Sequence, residues 1–200
     1  MSTYRVVDLR CPGCGEPSSA SDEYCKYCGR KVIITSFSSV YNMSAQEINS
    51  YVKSYKDVLK NNPDESQINF SIGMCYLKLK LYDKALESFE KAIEDNFDFS
   101  ETYFYAAVSV LKGKKAFLTP KVNIERIEEY INAALMIENR GIYNYFLAYI
   151  KYDFYKRKFL NVYPDYKEEL NLASQNNVTH EDIRMLSDSV NVDLSYLFNS

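Results

Sequence analysis

The sequence predicts a mainly α protein: a small N-terminal β module held by a metal ion, followed by an array of antiparallel α-helical hairpins. Three observations point there. Cys11-Pro12-Gly13-Cys14-Gly15 is matched in kind by Cys25-Lys26-Tyr27-Cys28-Gly29. The flanking segments, Tyr4–Leu9 and Lys31–Thr35, carry the β-branched and aromatic residues of short strands. From Ser44 onward, apolar residues recur at spacings of three and four, the period of a buried helix face.

Two cysteines three apart wrap one edge of a tetrahedral ion at metal–sulfur distances of about 2.3 Å, and a second such pair completes the coordination. Cys11, Cys14, Cys25 and Cys28 are therefore the expected ligands, with Zn2+ as the expected cofactor. Iron suits the same four-sulfur cage. Gly15 and Gly29 follow the second cysteine of each pair, where the chain must turn sharply with positive φ. Four protein ligands leave no open position for an activated water, so the site is expected to be structural. The two knuckles with their flanks resemble the zinc-ribbon family, and the resemblance covers residues 1–36 from about Tyr4 onward.

Ser36–Met43 breaks both strand alternation and helical periodicity and is expected to be a linker. Ser44 followed three residues later by Glu47 is a capping-box signature. Tyr51, Tyr55, Val58 and Leu59 form the apolar stripe of the helix it opens, and Asn61-Asn62-Pro63 closes that helix. Between Ile68 and Asn96, the small residues Gly73 and Ala85 stand where two antiparallel helices would cross closely, while Tyr76, Phe89 and Ala92 fill the gap beside them. With Ile72 and Tyr82 these positions resemble a tetratricopeptide repeat, which implies a helical array over residues 44–200 serving as a protein-binding scaffold.

Carrying that frame forward places Tyr103, Ala106 and Ala107 on the next hairpin, then Tyr130 and Ala133 after an insertion that maps to Lys112–Pro120. A third unit has Leu147 and Ala148, then Leu170 and Ala173. Tyr166–Gln175 and a helix capped at Thr179 and running to Val190 are expected to close the stack.

On the first helix of each repeat, the frame puts Phe70, Met74 and Leu77, then Phe104, Val108 and Leu111, then Tyr145, Tyr149 and Tyr152 on a shared concave face. Such an apolar surface is expected to take a protein or peptide partner, or to be filled by the chain's own end, Leu194–Phe198.

Composition narrows the function classes. With 24 basic and 27 acidic residues the formal charge is −3, a field that does not favour nucleic-acid backbones or anionic membranes. The cysteine module holds five basic against four acidic residues over positions 1–35, so nucleic-acid contact by it is the secondary expectation. No stretch approaches the roughly 20 apolar residues of a membrane span. The paired cysteines point to a reducing compartment, so a cytoplasmic location is expected. His180, the single histidine, is expected to be solvated, Cys75 to be a buried small group, and Lys112, Lys114 and Lys115 to form a solvated loop. Glu128-Glu129 and Glu168-Glu169 read as solvated helix faces. No phosphate-cradling loop or nucleophile motif occurs, so a non-enzymatic binding protein is expected.

Overall fold

The computed structural model describes residues 8–199. The chain divides into two compact units, residues 1–97 and 98–200.

In the first unit, β1 (Asp8–Arg10) pairs antiparallel with β2 (Pro17–Ser19), Leu9 lying opposite Ser18. The expected strand start at Tyr4–Val7 lies outside the described residues. The second expected strand, Lys31–Thr35, does not form: it contributes one isolated bridge, between Tyr24 and Lys31. Its backbone groups are satisfied by side chains instead. Tyr51 Oη donates to Lys31 O at 2.6 Å, Tyr55 Oη donates to Val32 O at 2.9 Å and accepts from Ile34 N at 3.1 Å, and Ser71 Oγ donates to Ile34 O at 2.7 Å. A segment whose N–H and C=O groups are spoken for in this way has nothing left for a ladder.

Those hydroxyl groups sit on α2 (Ala45–Leu59) and α3 (Ser66–Lys78), so the cysteine module is clamped to the helices. The expected linker is also structured, as α1 (Phe37–Tyr41), with Phe37 and Val40 buried. The break expected between residues 36 and 44 therefore falls inside one unit. The capping box opening α2 is present: Glu47 N donates to Ser44 Oγ and Ser44 N donates to Glu47 Oε2. Ile48, Tyr51, Tyr55 and Val58 form its buried stripe.

α3 and α4 (Tyr82–Asp95) form the hairpin read from the sequence. Gly73 is required at their crossing, because a Cβ there would stand 2.6 Å from Phe89 Cε1. Phe89 is fully buried and packs on Phe70, with ring centroids 5.9 Å apart, so the ring cannot swing away freely. Gly73→Ala gains roughly 1 kcal/mol of helix propensity but costs about 1–3 kcal/mol in overpacking. The expected result is a net loss of stability in chemical denaturation, partly recovered when Phe89→Leu is added. An unchanged or raised midpoint for the single variant would remove Gly73 from the crossing.

The second unit contains α5 (Ser100–Val110), a 3-10 turn at Ala116–Leu118, α6 (Lys121–Ile137), α7 (Gly141–Ile150), α8 (Tyr166–Gln175) and α9 (His180–Val190). α5 packs on α6, α7 on α8, and α9 against both α5 and α7. The α6 stripe is Ile124, Ile127, Ile131 and Ala134. Tyr130 and Ala133, placed there by the repeat frame, are only half-buried, because the inserted loop is one residue longer than the frame allowed. Leu147, Ala148 and Ala173 are buried as expected, whereas Leu170 is half-buried. Thr179 and Asp182 form the capping box of α9.

α7 does not stop at Ile150. It continues through a π-helical turn, Lys151–Tyr155, and a 3-10 turn, Lys156–Lys158. The wide turn carries Lys151 and Asp153 into the interior. Lys151 Nζ donates to Glu169 Oε1 at 2.7 Å and to Pro164 O at 2.8 Å, and Asn144 Nδ2 donates to Glu169 Oε2 at 3.1 Å. Glu169 is thus a buried ion-pair partner and not part of a solvated face, since an opposite charge and an amide reach it from α7. Among the described residues no helix is long and apolar enough to cross a membrane.

Candidate metal centre and partner surfaces

Each knuckle is built the same way. Cys11 N donates to Glu16 O and Gly15 N to Cys11 O, at 2.8 and 2.9 Å; Cys25 N donates to Arg30 O and Gly29 N to Cys25 O at the same distances. Gly15 and Gly29 have φ of +81° and +69°, the left-handed turn that folds the second cysteine of each pair back toward the first. The result brings all four Sγ atoms within 4.8 Å of one another, with Cys11–Cys28 at 3.6 Å and Cys14–Cys25 at 3.7 Å.

A tetrahedron with arms of about 2.3 Å has edges of about 3.8 Å, so these two edges are compatible with a four-thiolate metal site. The surrounding amides suit anionic sulfur. Gly13 N donates to Cys11 Sγ at 3.3 Å. The backbone N–H groups of Cys28 and Tyr27 lower the Cys25 thiol, whereas the metal-free Cys11 thiol is raised by burial and that of Cys14 is raised as well, its backbone bond being outweighed by burial and the neighbouring thiols. Cys11 and Cys25 face the interior, while Cys14 and Cys28 lie at the surface. The four cysteines at residues 11–28 could hold a metal ion, in an arrangement compatible with a zinc ribbon.

The concave-face residues behave differently from expectation. Phe70, Met74 and Leu77 are 3%, 0% and 0% exposed, and Phe104, Val108 and Leu111 are equally interior. Phe104 packs on Tyr143 and Phe146, with centroids 4.8 and 5.8 Å apart. Phe70 packs on Phe89 of its own hairpin. These six are core contacts and offer no open apolar groove. A first helix that meets a neighbour on two sides buries most of its circumference, and α3 buries every residue from Ile68 to Leu77.

In the third set the chain's own end provides the cover. Tyr145 Oη donates to Leu194 O at 2.7 Å, Leu194 and Leu197 are buried, and the Tyr196 ring lies 6.0 Å from that of Tyr152. Tyr149 is interior, its hydroxyl accepting from Ala116 N at 3.1 Å. Tyr152 is half-buried. The side chain of Phe198 lies outside the described residues.

What remains open beside this tail is a cleft of about 760 Å³, walled by Tyr152 and Tyr196 with Lys114, Lys115, Leu118 and Arg157 at its margin. Tyr149 and Asp153 form part of its floor. Sequence reasoning reached Tyr149 and Tyr152, and Tyr196 as part of the tail Leu194–Phe198, but missed Arg157. Arg157 belongs to the basic triplet Lys156-Arg157-Lys158, which was legible as a charge run. Cys75 is fully buried, and that burial pushes its thiol well up; His180 is exposed.

Residues 67–94 match the tetratricopeptide repeat family, a match that spans α3 and α4. No curated protein matches the chain.

Proposed function

We propose that the protein is a non-enzymatic adaptor, with Zn2+ in the Cys11, Cys14, Cys25 and Cys28 cage stapling the first unit and the cleft beside α7 receiving a segment of a partner protein. The observation that carries this reading is the cleft itself, of peptide-sized volume, with two tyrosine walls and three cations at its margin. Tyrosines give large contact area at small entropy cost, and flanking cations favour an acidic segment. The tetratricopeptide match supports a protein partner, because repeats of this kind generally mediate protein interactions. A closed four-thiolate cage and a thiol at Cys75 held protonated by burial both support a binding role over chemistry.

Affinity capture from cell extract with wild-type protein and with Lys114→Glu/Lys115→Glu tests the cleft. Both lysines are exposed, so the fold should be kept. A protein recovered by the wild type and reduced at least about tenfold by the variant is expected, since reversing two of the three marginal cations sets like charges against an acidic segment. Recovery unaffected by the variant would displace the cleft. Recovery abolished by nuclease would replace a protein partner with nucleic acid, the reading in which the cysteine module contacts DNA or RNA. Metal analysis should return about one zinc per chain. Iron would betray itself by visible absorbance.

A further inference from the structure

The formal charge of −3 conceals a strong local asymmetry in the second unit. Lys112, Lys114 and Lys115 lie on the loop after α5, and Lys156, Arg157 and Lys158 end the extended α7, forty residues later. The structure brings these two segments together around one ring. Arg157 lies over Phe117 at 4.6 Å and Lys158 over the same ring at 5.1 Å, while Phe117 N donates to Asp153 Oδ2 at 2.7 Å. Two carboxylates stand beside the cluster: Asp153 is committed to Arg157 and Phe117, and Asp193 accepts from Ser195 N and Oγ. Glu128 is held by the Tyr155 hydroxyl, and Asp165 caps α8. Among the described residues no carboxylate pairs with Lys114, Lys115, Lys156 or Lys158.

Large apolar side chains stand beside these cations in water. Phe159 is 95% exposed and Tyr163 87%, with Leu118 at 69% and Leu160 at 47%. Phe159 adopts φ of +59°, a left-handed conformation that a bulky residue rarely takes. The chain thus turns an aromatic ring outward directly after three consecutive cations.

We propose that this end of the second unit docks on the surface of an anionic lipid bilayer, with Lys114, Lys115, Lys156 and Lys158 facing the headgroups and Phe159, Leu160 and Leu118 entering the boundary between headgroups and acyl chains. Charge complementarity selects an anionic partner. Exposed apolar side chains standing among the cations select the bilayer, whose headgroups take the charge and whose acyl boundary takes Phe159, Leu160 and Leu118. The aliphatic Leu118 and Leu160 have no flat face for stacking on bases and gain only by entering an apolar phase, whereas Phe159 and Tyr163 suit either partner, which the oligonucleotide arm of the test separates. Apolar insertion combined with several basic contacts is the combination that gives stable peripheral binding. This surface shares Lys114, Lys115 and Leu118 with the cleft, but Phe159 and Leu160 line no part of it, so a substitution at those two positions distinguishes bilayer docking from the peptide reading.

The test is co-sedimentation of the full-length, metal-loaded protein with vesicles of phosphatidylcholine alone and of phosphatidylcholine mixed with phosphatidylserine. Binding is expected to the mixed vesicles only, weakening as salt is raised. Lys156→Glu/Lys158→Glu should lower partitioning by more than about twentyfold, since each lost cation removes roughly fivefold. Phe159→Ser/Leu160→Ser should lower it at least about tenfold at unchanged thermal stability, because both side chains already face water. The proposal is overturned if the mixed vesicles are not bound at low salt, or if Phe159→Ser/Leu160→Ser binds them as the wild type does. It is equally overturned if a single-stranded oligonucleotide is bound and the vesicles are not.

Discussion

Removing the metal, or replacing Cys14 by Ser, should unfold the first unit well beyond the knuckles and leave the second unit intact. With a metal bound, the four cysteines would tie together segments that, among the described residues, pair with one another through three ladder positions and one bridge. Structural zinc contributes on the order of 10 kcal/mol in apparent binding free energy, as much as the whole stability of a typical domain. The module is also not a detachable appendage. Val32, Ile33 and Ile34 are 0%, 3% and 0% exposed, and the Tyr55 hydroxyl donates to Val32 O and accepts from Ile34 N. Releasing them uncovers the apolar face of α2 and strands a buried hydroxyl, at a further cost of about 1–3 kcal/mol. Hydrogen exchange with and without a chelator reads the outcome directly: amides of α2 and α3 should lose protection together with residues 8–35, while α5–α9 keep theirs. Unchanged protection in α2 and α3 would show that the helices stand alone. Each ligand must lose its proton to bind, so affinity falls as pH falls, and acidification should reproduce the effect of the chelator.

Lys151→Met should be the most damaging single substitution in the second unit. Lys151 and Glu169 are 6% and 5% exposed at their side chains, and the lysine also ties down Pro164 O. Removing the cation leaves a carboxylate in the interior with the Asn144 amide as its remaining donor. Breaking one side of such a buried pair costs about 3–5 kcal/mol, whereas replacing both partners by apolar residues of similar volume is often close to neutral. The double variant Lys151→Met/Glu169→Leu should therefore recover most of what the single variant loses. Thermal unfolding of the two proteins separates the cases. A single variant within about 1 kcal/mol of wild type would mean that the pair behaves like an exposed one.

Much of this architecture was legible because local chemistry decides it. The spacing within Cys11-x-x-Cys14-Gly15 and Cys25-x-x-Cys28-Gly29 already shows a four-cysteine cluster that could hold a metal ion, since two cysteines three apart and a left-handed glycine define each knuckle. Ser44 with Glu47 and Thr179 with Asp182 cap helices through bonds that span three residues. Gly73 opposite Phe89 was readable because a hairpin of two helices repeats a fixed crossing.

Other features were decided only when distant segments met. Whether Lys31–Thr35 becomes a strand depends on who takes its backbone hydrogen bonds, and Tyr51, Tyr55 and Ser71, twenty to thirty-seven residues away, take them first. Whether Phe104 or Tyr149 lines a groove or a core depends on how many neighbours its helix has, which periodicity does not report: a stripe shows that a face is covered, not by what. Glu168 and Glu169 are adjacent and chemically alike, yet one is solvated and the other buried, because Lys151 reaches only the second. The basic tip was invisible for the same reason. Lys112–Lys115 and Lys156–Lys158 are two ordinary charge runs in the sequence, and only the packing of Phe117 against Arg157 and Lys158 makes them one surface. Residue types and short spacings set the cage, the caps and the hairpin, because their interactions close within a few residues; burial, ion pairing and surface character are properties of neighbours, and only the folded chain supplies those.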